Sequence, residues 1–535
     1  MQIALQQIIA RCNVLAIFAG SVVLFCIALL PLQLNGQDQA WFGIPLPPGF
    51  TPHNNPAIIG TRGPAPAVVP AGEENFTELS GQEIIRDLET IVAFSRASRE
   101  SQELGGEQLW GRVSGFPSGD RVVEWGATQL RNAGVAEVRV QELSQQEDAA
   151  LWLPENWEVR LLGNELYGPG SQDVVLETAM ALAPSNIVSG QLTAPVVFVG
   201  TASIAELQYI DVRGKIAVQH ITPQAHMVFE RSKAVPRAQE LMARGAVAVL
   251  NAVDQPGNER ARDFSNCGSP CFNLGGRDGW FLESVMNAAQ AAGSLAELQM
   301  QISLQTRSHS GLSAKNAIGI IAGSGSAETI VLNAHADAWF DGAGDNGDGL
   351  AVLLSLAKHF AKPENQLERT LALVISAGHH SSGLNGPRNA VSMNPDIFTN
   401  ALLVFNLEHV AQRNLVPARS LFDDGYREFV ADSGEAPIVA GITNQSPYLE
   451  ELFRLGVQRY GTNFVSGAST MASGEGGGYR SAGVPIVTTM QAPPLYHTSG
   501  EVLSAISVPG LERMARFMSF FVKQVDKAGR NQIEP

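Results

Sequence analysis

The chain has 535 residues, a formal net charge of −16 at pH 7 and a pI near 5.1. This length is sufficient for two or three domains, each with a sizeable hydrophobic core. The acidic balance argues against a nucleic-acid partner, because phosphate binding requires an excess of Lys and Arg.

Residues 1–36 are predicted to direct export. A single positive charge, Arg11, precedes an apolar run from Val14 to Leu30. This run is long for a signal peptide and short for a comfortable membrane span, so a cleaved signal peptide and an uncleaved membrane anchor both stay open. We therefore expect a periplasmic or extracellular protein, or one anchored to the membrane by this segment. Membrane contact is expected only there.

A Pro/Gly-rich linker that cannot build a core follows at residues 37–75. Apolar residues at helical spacing begin at Leu79 and again at Val122, before a short strand that begins at Val138. We assign residues 76–164 to the N-terminal part of a main domain.

Between about residues 165 and 310 the chain changes to short apolar runs separated by turns. Three of these runs, residues 195–200, 211–218 and 245–250, are typical of buried strands. The sequence therefore predicts a β-rich unit inserted into the main domain.

The four cysteines form two groups. Cys12 and Cys26 lie in the leader, whereas Cys267 and Cys271 lie in the β-rich unit. In a reducing compartment the second pair would suggest metal or redox chemistry. In an exported chain the spacing favours a small structural disulfide.

From about residue 311 to 527, four apolar runs each lead into residues that could bind a metal. Parallel strands would bring these ends to one edge of a sheet, where open α/β proteins collect their active-site groups. A divalent cation is the economical way to hold histidines and carboxylates together there. The residues concerned are His335, Asp337, Asp345, His379, His380, Glu408 and His497.

These motifs resemble those of the co-catalytic zinc exopeptidases of the aminopeptidase-S and glutamate-carboxypeptidase type. The matching elements are His335-Ala-Asp337, the loop 342–349, Gly383-Leu-Asn-Gly386, Glu408 and Tyr496-His497-Thr498. The resemblance covers roughly residues 76–527. It implies an α/β fold in which helices sandwich a mixed, mostly parallel sheet, the phosphorylase/hydrolase-like zinc exopeptidase fold. It also implies an inserted β-rich protease-associated domain at 165–310, a metal-binding part at 311–527 and a tail at 528–535.

The resemblance further implies one or two bound ions, expected to be zinc. It assigns Asp345 as the bridging ligand, Asp337 as the group that orients His335, and Tyr496 as the oxyanion donor. The implied metal ligands are His335, Asp345, His380, Glu408 and His497.

The chain departs from the family pattern at one element, where two histidines replace two glutamates. The first family glutamate is the general base and the second is a metal ligand. His379 is therefore the proposed base, and His380 can still bind metal because neutral imidazole is a good zinc ligand. His409, next to Glu408, is expected to point to the opposite face of its strand and to be structural.

The implied function is metal-dependent hydrolysis of peptide or amide bonds by an exopeptidase of aminopeptidase or carboxypeptidase type. A metal-activated water would attack a peptide or acyl-amino-acid substrate. Two alternatives stay open: a degenerate binding scaffold, as in the related transferrin receptor, and a one-metal enzyme of altered amide chemistry such as glutaminyl cyclisation. The sequence contains no G-x-S-x-G elbow and no G-x-x-x-x-G-K-[ST] loop, so serine-hydrolase and nucleotide chemistry lack support.

Overall fold

The structure is a computed structural model. It describes residues 40–41, 44–45, 58–164, 171–222, 231–262, 270–378, 380–419, 427–469, 472, 474–491 and 494–534. The predicted export segment, His379 and Cys267 lie outside these residues. Among the described residues, none forms a helix long and apolar enough to cross a membrane.

The described chain alternates helices and strands. The helices are α1 (Gly81–Glu100), α2 (Pro117–Asn132), α3 (Ile204–Leu207), α4 (Arg231–Ala243), α5 (Gly276–Ala291), α6 (Asp348–Phe360), α7 (Gly386–Met393), α8 (Pro395–Phe398), α9 (Pro447–Tyr460), α10 (Val508–Lys527) and α11 (Arg530–Ile533). The strands up to residue 309 are β1 (Ala40–Trp41), β2 (Ile44–Pro45), β3 (Ile58–Thr61), β4 (Glu137–Ser144), β5 (Leu151–Leu161), β6 (Val174–Val175), β7 (Met180–Ala181), β8 (Gln191–Phe198), β9 (Ile216–Ile221), β10 (Ala248–Val253), β11 (Cys271–Leu274) and β12 (Gln299–His309). The later strands are β13 (Ser313–Ile321), β14 (Thr329–His335), β15 (Thr370–Ser376), β16 (Ala401–Leu407), β17 (Arg413–Arg419), β18 (Arg427–Glu435), β19 (Ile438–Ile442), β20 (Phe464–Ser469) and β21 (Ile486–Met490).

The main sheet has eight strands in the order β20-β19-β21-β16-β14-β15-β13-β4. Its centre, β21-β16-β14-β15, is parallel, whereas β13 and β4 pair antiparallel at one side. These four parallel strands are the four apolar runs expected to converge on one edge. The fold is therefore the predicted mixed, mostly parallel α/β sheet.

Helices cover both faces of this sheet. In β14, Ile330 and Leu332 pack into the core formed with α1, α2, α6, α9 and α10, while Val331 packs on the opposite face with α7, α8 and the 3-10 helix Gly474–Ala482. Every residue of β14 is buried, which explains its nearly continuous apolar sequence.

A second sheet of eight strands lies within residues 151–309, which we call the inserted unit. Its order is β6-β5-β12-β8-β9-β10-β11-β7. β8, β9 and β10 each overlap one of the three runs expected as strands, and these three strands belong to this sheet. The unit starts with β5, upstream of the boundary at 165 inferred from sequence, because β5 pairs with β12 and not with the main sheet. That the unit is a protease-associated domain stays a prediction.

The two ends of the inserted unit lie side by side. Leu151 pairs with His309 at the end of the β5–β12 ladder, and Ser144 pairs with Ser313 at the start of β4–β13. The chain therefore leaves and re-enters the main sheet through neighbouring strands.

Cys271, the first residue of β11, is buried and disulfide-bonded. Cys267, its predicted partner, lies outside the described residues. A disulfide at Cys271 agrees with the structural bridge inferred for an exported chain.

Candidate metal centre

The centre lies at the C-terminal edge of the parallel strands. β14 ends at His335, β16 ends immediately before Glu408, and β15 ends at Ser376, shortly before His380. The loop 494–499, which follows β21, carries His497. This edge is where open α/β sheets bind their ligands.

The first group of donors, position one, consists of His335, Asp345, Glu408 and His409. Nε2 of His335 lies 3.1 Å from Oδ1 of Asp345, and Nε2 of His409 lies 3.0 Å from the same oxygen. Ligand atoms of His335, Glu408 and His409 all lie within 4.8 Å of one another. The four side chains are at most 3% exposed, so they face each other in an interior environment.

The second group, position two, consists of Asp345, His380 and His497. Nε2 of His497 lies 2.7 Å from Oδ2 of Asp345 and 3.2 Å from Nε2 of His380. Nε2 of His380 lies 3.5 Å from the same carboxylate oxygen. Asp345 thus offers one oxygen to each position, which is the geometry of a bridging carboxylate.

Hydrogen bonds orient the imidazoles. Nδ1 of His335 donates to Oδ1 of Asp337 at 3.0 Å, and Nδ1 of His409 donates to the carbonyl oxygen of Gln491 at 2.9 Å. A carboxylate or a carbonyl can only accept, so Nδ1 carries a proton, and in the neutral imidazole Nε2 turns its lone pair towards the centre. Asp337 also accepts from the backbone N–H of His380 at 3.2 Å and so positions both residues.

The donors fit one or two divalent transition-metal ions. Lone pairs of nitrogen and carboxylate oxygens that face one another at about 3 Å repel unless a proton or a metal ion lies between them, and imidazole with carboxylate is a donor set that zinc prefers. Gly474 leaves room for the carboxylate of Glu408. The φ of Gly474 is 51°, and a Cβ at this position would overlap that carboxylate.

The charges of the centre depend on one another. Burial opposes protonation of His409, but the charges of Asp345, Glu408 and Glu501 outweigh it and raise its pKa to about 10. Burial and the charge of Glu475 raise the pKa of Glu408 to about 7. Burial opposes ionisation of Asp345, yet the facing imidazoles hold its pKa well below the usual value. The protein therefore requires positive charge between these groups, which protons or metal ions can supply.

The glycine-rich loop that carries Asp345 is fastened to the end of β16. Asn346 donates from Nδ2 to the last carbonyl of β16 at 2.8 Å and accepts from the backbone N–H of His409 at 3.2 Å. Oδ2 of Asp348 accepts from the backbone N–H groups of residues 410–411 at 2.9 Å and 2.7 Å. These bonds hold the bridging carboxylate and His409 at a defined separation.

A segment of the inserted unit holds the loop that carries His497. The backbone N–H of Arg262 donates to the carbonyl of His497 at 3.0 Å, and the N–H of Ser499 donates to the carbonyl of Arg260 at 2.9 Å. The two segments form an antiparallel bridge between Ala261 and Thr498. Position two therefore includes a candidate ligand, His497, whose backbone is held by the inserted unit.

Comparison with known proteins agrees with this geometry. The sequence profile described as Peptidase family M28 matches residues 316–522. This part of the chain is therefore similar to the peptidases of family M28. All donors of both positions lie within the matched residues. Among the curated proteins, no match was found.

Solved structures share the fold of most of the chain. A peptidase M28 precursor from Shewanella amazonensis is 17% identical with a TM-score of 0.56 and covers 85% of this chain and 98% of its own. The zinc aminopeptidase BSAP from Bacillus subtilis is 17% identical with a TM-score of 0.53, covering 84% and 98%. An aminopeptidase from Aneurinibacillus sp. strain AM-1 is 17% identical with a TM-score of 0.51, covering 85% and 96%. At these identities the likeness is one of fold.

The centre brings together all five residues predicted as ligands. Asp337 contacts His335 as expected, and it contacts His380 as well. The ring of Tyr496, the predicted oxyanion donor, stacks on His497 with centroids 3.7 Å apart. His379, the predicted base, lies outside the described residues. The ligands predicted from sequence are His335, Asp345, His380, Glu408 and His497.

The expectation for His409 was wrong, because this side chain faces the centre. Strand alternation would have turned it away from Glu408, but β16 ends at Leu407 and His409 has φ of 49°. A left-handed residue beyond the end of a strand does not follow the strand's alternation. Its imidazole therefore points towards Asp345.

Sequence reasoning also missed Glu475. This residue begins the buried end of the 3-10 helix Gly474–Ala482, and its Oε2 lies 3.5 Å from Nε2 of His335. It is 2% exposed. In the sequence, Gly474-Glu475-Gly476 follows no continuous apolar run, because β20 (Phe464–Ser469) contains Ser and Gly, so the only signal was a carboxylate among glycines.

Proposed function

We propose that the protein is a metal-dependent exopeptidase that hydrolyses the peptide or amide bond next to a free chain end. The observation that carries the proposal is the pair of donor sets that share Asp345, one oxygen towards each. A divalent metal bound there would polarise the scissile carbonyl and lower the pKa of water. Zinc is the proposed metal, because imidazole and carboxylate donors suit it.

Burial of the centre supports removal of terminal residues. The donors of both positions are at most 5% exposed, and residues 255–262 of the inserted unit close one side of the loop 494–499. A peptide cut in its middle requires an open groove on both sides of the cleaved bond. A chain end requires only a pocket.

The residues around the donors have distinct proposed roles. Asp337 keeps His335 in the tautomer that turns Nε2 inwards and also holds His380. Tyr496, stacked on His497, is proposed to donate a hydrogen bond to the oxyanion of the tetrahedral intermediate.

Two residues are candidates for the general base. His379 occupies the position of the family's catalytic glutamate, and Glu475 supplies a buried carboxylate 3.5 Å from Nε2 of His335. Replacing the true base should lower turnover by roughly 10²–10⁴. Comparing His379→Ala with Glu475→Gln, at unchanged metal content, identifies which residue accepts the proton.

The proposed function is tested on the purified full chain by elemental analysis and by a substrate screen. We expect at least one transition metal per chain and hydrolysis of either aminoacyl amides or acyl-amino acids, but not of a peptide blocked at both ends. Asp345→Ala should release metal and abolish activity together. The exposed Asp396→Ala is the control, because this carboxylate pairs with Arg139 away from the centre. Wild-type protein that stays empty after dialysis against micromolar zinc would contradict the proposal.

A non-catalytic scaffold and a one-metal amide enzyme are the competing functions. The double substitution His379→Glu with His380→Glu, which restores the family pattern, separates the first from an enzyme. A scaffold could gain hydrolysis from it, whereas an enzyme adapted to imidazoles should lose activity or stay near wild type. A single metal per active chain would favour the one-metal enzyme.

Export and the nature of the inserted unit belong to the same proposal. The disulfide at Cys271 supports an oxidising compartment, and residues 1–36 would direct or anchor the protein there. The inserted unit is proposed to be a protease-associated domain. Detection of the chain in the soluble export fraction or in membranes distinguishes a cleaved signal from an anchor.

A further inference from the structure

Position one contains a histidine that the family pattern does not provide. We infer that His409 is a metal ligand, a fourth donor beside His335, Asp345 and Glu408. The inference rests on the proposed metal-dependent function. It changes position one from a site with one imidazole into a site with two.

The hydrogen bonds of His409 prepare it for this role. Nδ1 donates to the carbonyl of Gln491 at 2.9 Å, so the neutral ring turns the lone pair of Nε2 inwards. That nitrogen lies 3.0 Å from Oδ1 of Asp345, the oxygen that His335 also approaches at 3.1 Å. Metal-bound histidines commonly have such a backbone carbonyl on the second nitrogen.

The backbone of His409 is held in a costly conformation. Its φ of 49° lies in the left-handed region, which residues other than Gly rarely adopt. The side-chain oxygen of Asn346 accepts a hydrogen bond from the backbone N–H of His409 at 3.2 Å and so helps to hold this conformation. Strain of this kind persists where the surrounding structure imposes it, and it concentrates at functional sites.

The number of imidazole donors at each position gives a chemical reason for His409 to bind metal. His380 stands where the family has a glutamate, which leaves position two with two imidazoles, from His380 and His497. With His409, position one also has two imidazoles, from His335 and His409. Each of the two positions then offers two imidazole nitrogens to a metal. Imidazole-rich sites favour zinc and its transition-metal neighbours over the hard cations Mg²⁺ and Ca²⁺.

A simple ion pair between His409 and Asp345 is the competing explanation. An imidazolium at 3.0 Å from a carboxylate would satisfy both groups without a metal. The two explanations differ in one measurable respect. A ligand adds an imidazole nitrogen to the coordination of zinc, whereas an ion-pair partner of Asp345 adds none and has at most the smaller effect of an outer-shell group on zinc affinity.

The test measures zinc binding by the full chain and by His409→Ala, using a competing chromophoric chelator and elemental analysis. We expect one of two zinc ions to bind more than about 100-fold more weakly, which exceeds the 10- to 100-fold effect of an outer-shell partner. The second zinc should bind as in wild type. His359→Gln is the matched control, because that buried imidazole contacts Glu78 and Ser519 and lies outside the centre.

Zinc X-ray absorption of the wild type provides a second measurement that needs no substitution. Two imidazoles per zinc, averaged over a two-zinc centre, support His409 as a ligand, and a lower average overturns it. This spectrum decides the matter if His409→Ala fails to fold by circular dichroism.

The outcomes separate this inference from the proposed function. If His409→Ala holds two zinc ions as tightly as wild type, His409 is an ion-pair partner and the inference fails, while the exopeptidase proposal stands. If wild-type protein binds no zinc and hydrolyses nothing, the proposed function fails and the inference fails with it.

Discussion

The two metal positions share Asp345 but are built from different parts of the molecule. Position one uses residues at the ends of β14 and β16 and the loop that follows β14, all within the main sheet. Asn346 and Asp348 bind this loop to the end of β16, so its donors belong to one hydrogen-bonded framework. The hydrogen bonds that fix position one therefore lie outside the inserted unit, although Trp339 and Phe340 of the same loop pack into the hydrophobic core of that unit.

Position two takes His497 from the loop 494–499. Backbone bonds from Arg262 and to Arg260 fasten this loop to the inserted unit, and Glu501 accepts from the backbone N–H of His497 at 3.3 Å. Its geometry therefore depends on contact between the two sheets. The difference shows that one centre can combine donors held by hydrogen bonds within the main domain with a donor that is also hydrogen-bonded to the inserted unit.

The largest expected effect comes from removing one ligand at each position. His497→Ala should empty position two and leave one zinc per chain, because the four donors of position one stay in place. His335→Ala should weaken position one. Each loss should exceed about 100-fold in zinc affinity, since both residues are proposed as direct ligands and even outer-shell partners have effects of 10- to 100-fold. Elemental analysis after gel filtration counts the remaining zinc, and loss of both ions from His497→Ala would show that the two positions are not separable.

The next largest effect is a pH dependence beside position two. Burial raises the pKa of Glu259, in the segment that holds the His497 loop, to about 7 from an unfolded value of 4.5. The folded state therefore keeps the proton between these two values, and stability falls as pH rises from 4.5 through 7. The loss should be about 3 kcal/mol above pH 7. Relative to wild type, Glu259→Gln should gain stability by this amount over that interval in urea titrations. If the free energy of unfolding changes with pH in the same way in the two proteins, Glu259 is not the cause.

A smaller effect is expected from Gly474→Ala, which targets position one alone. The new Cβ would overlap the carboxylate of Glu408, and φ of 51° disfavours alanine. We expect a cost of about 1–3 kcal/mol and weaker zinc binding at position one. Gly477→Ala in the same 3-10 helix is the control, because its Cβ would meet its nearest neighbour at an ordinary 3.7 Å. Equal zinc affinity in the two variants would show that Glu408 has room to move.

The smallest effect concerns the side chain of Arg262. Its guanidinium lies 4.6 Å from the centroid of the Trp339 ring, and that ring lies 6.2 Å from the ring of His380. Arg262→Gln should weaken zinc binding at position two by about 2- to 5-fold, the size of a cation–π contact. Arg99→Gln removes an equivalent contact with Trp110 outside both positions and serves as the control. A larger loss of zinc affinity at position one than at position two would contradict the proposal that this segment of the inserted unit supports position two.

The sequence predicted much of position one because its donors directly follow buried strands. The apolar runs that end at His335 and at Leu407 are unmistakable, and parallel pairing brings their ends together. It failed for His409, because alternation predicts orientation only inside a strand, and this residue lies beyond the end of β16. It failed for Glu475 because glycines surround it and no continuous apolar run leads into it.

The boundary of the inserted unit is a further feature that local sequence patterns did not predict. The start near 165 was inferred from a change in composition, yet the ladder between β5 and β12 begins at Leu151. The residues of β5 resemble those of any partly buried strand. Only the partner strand, which lies more than a hundred residues later in the chain, decides the sheet to which β5 belongs.

The sequence by itself determined the α/β class, the four parallel strands and the identity of most donors, because apolar periodicity and local motifs depend on neighbouring residues. The tertiary structure alone decided that His409 and Glu475 face the centre and that the inserted unit holds the His497 loop. These features depend on a left-handed turn after β16, on the packing of a glycine-rich helix and on backbone bonds between distant segments. Contacts between residues far apart in sequence leave no local pattern, and they position the donors around Asp345.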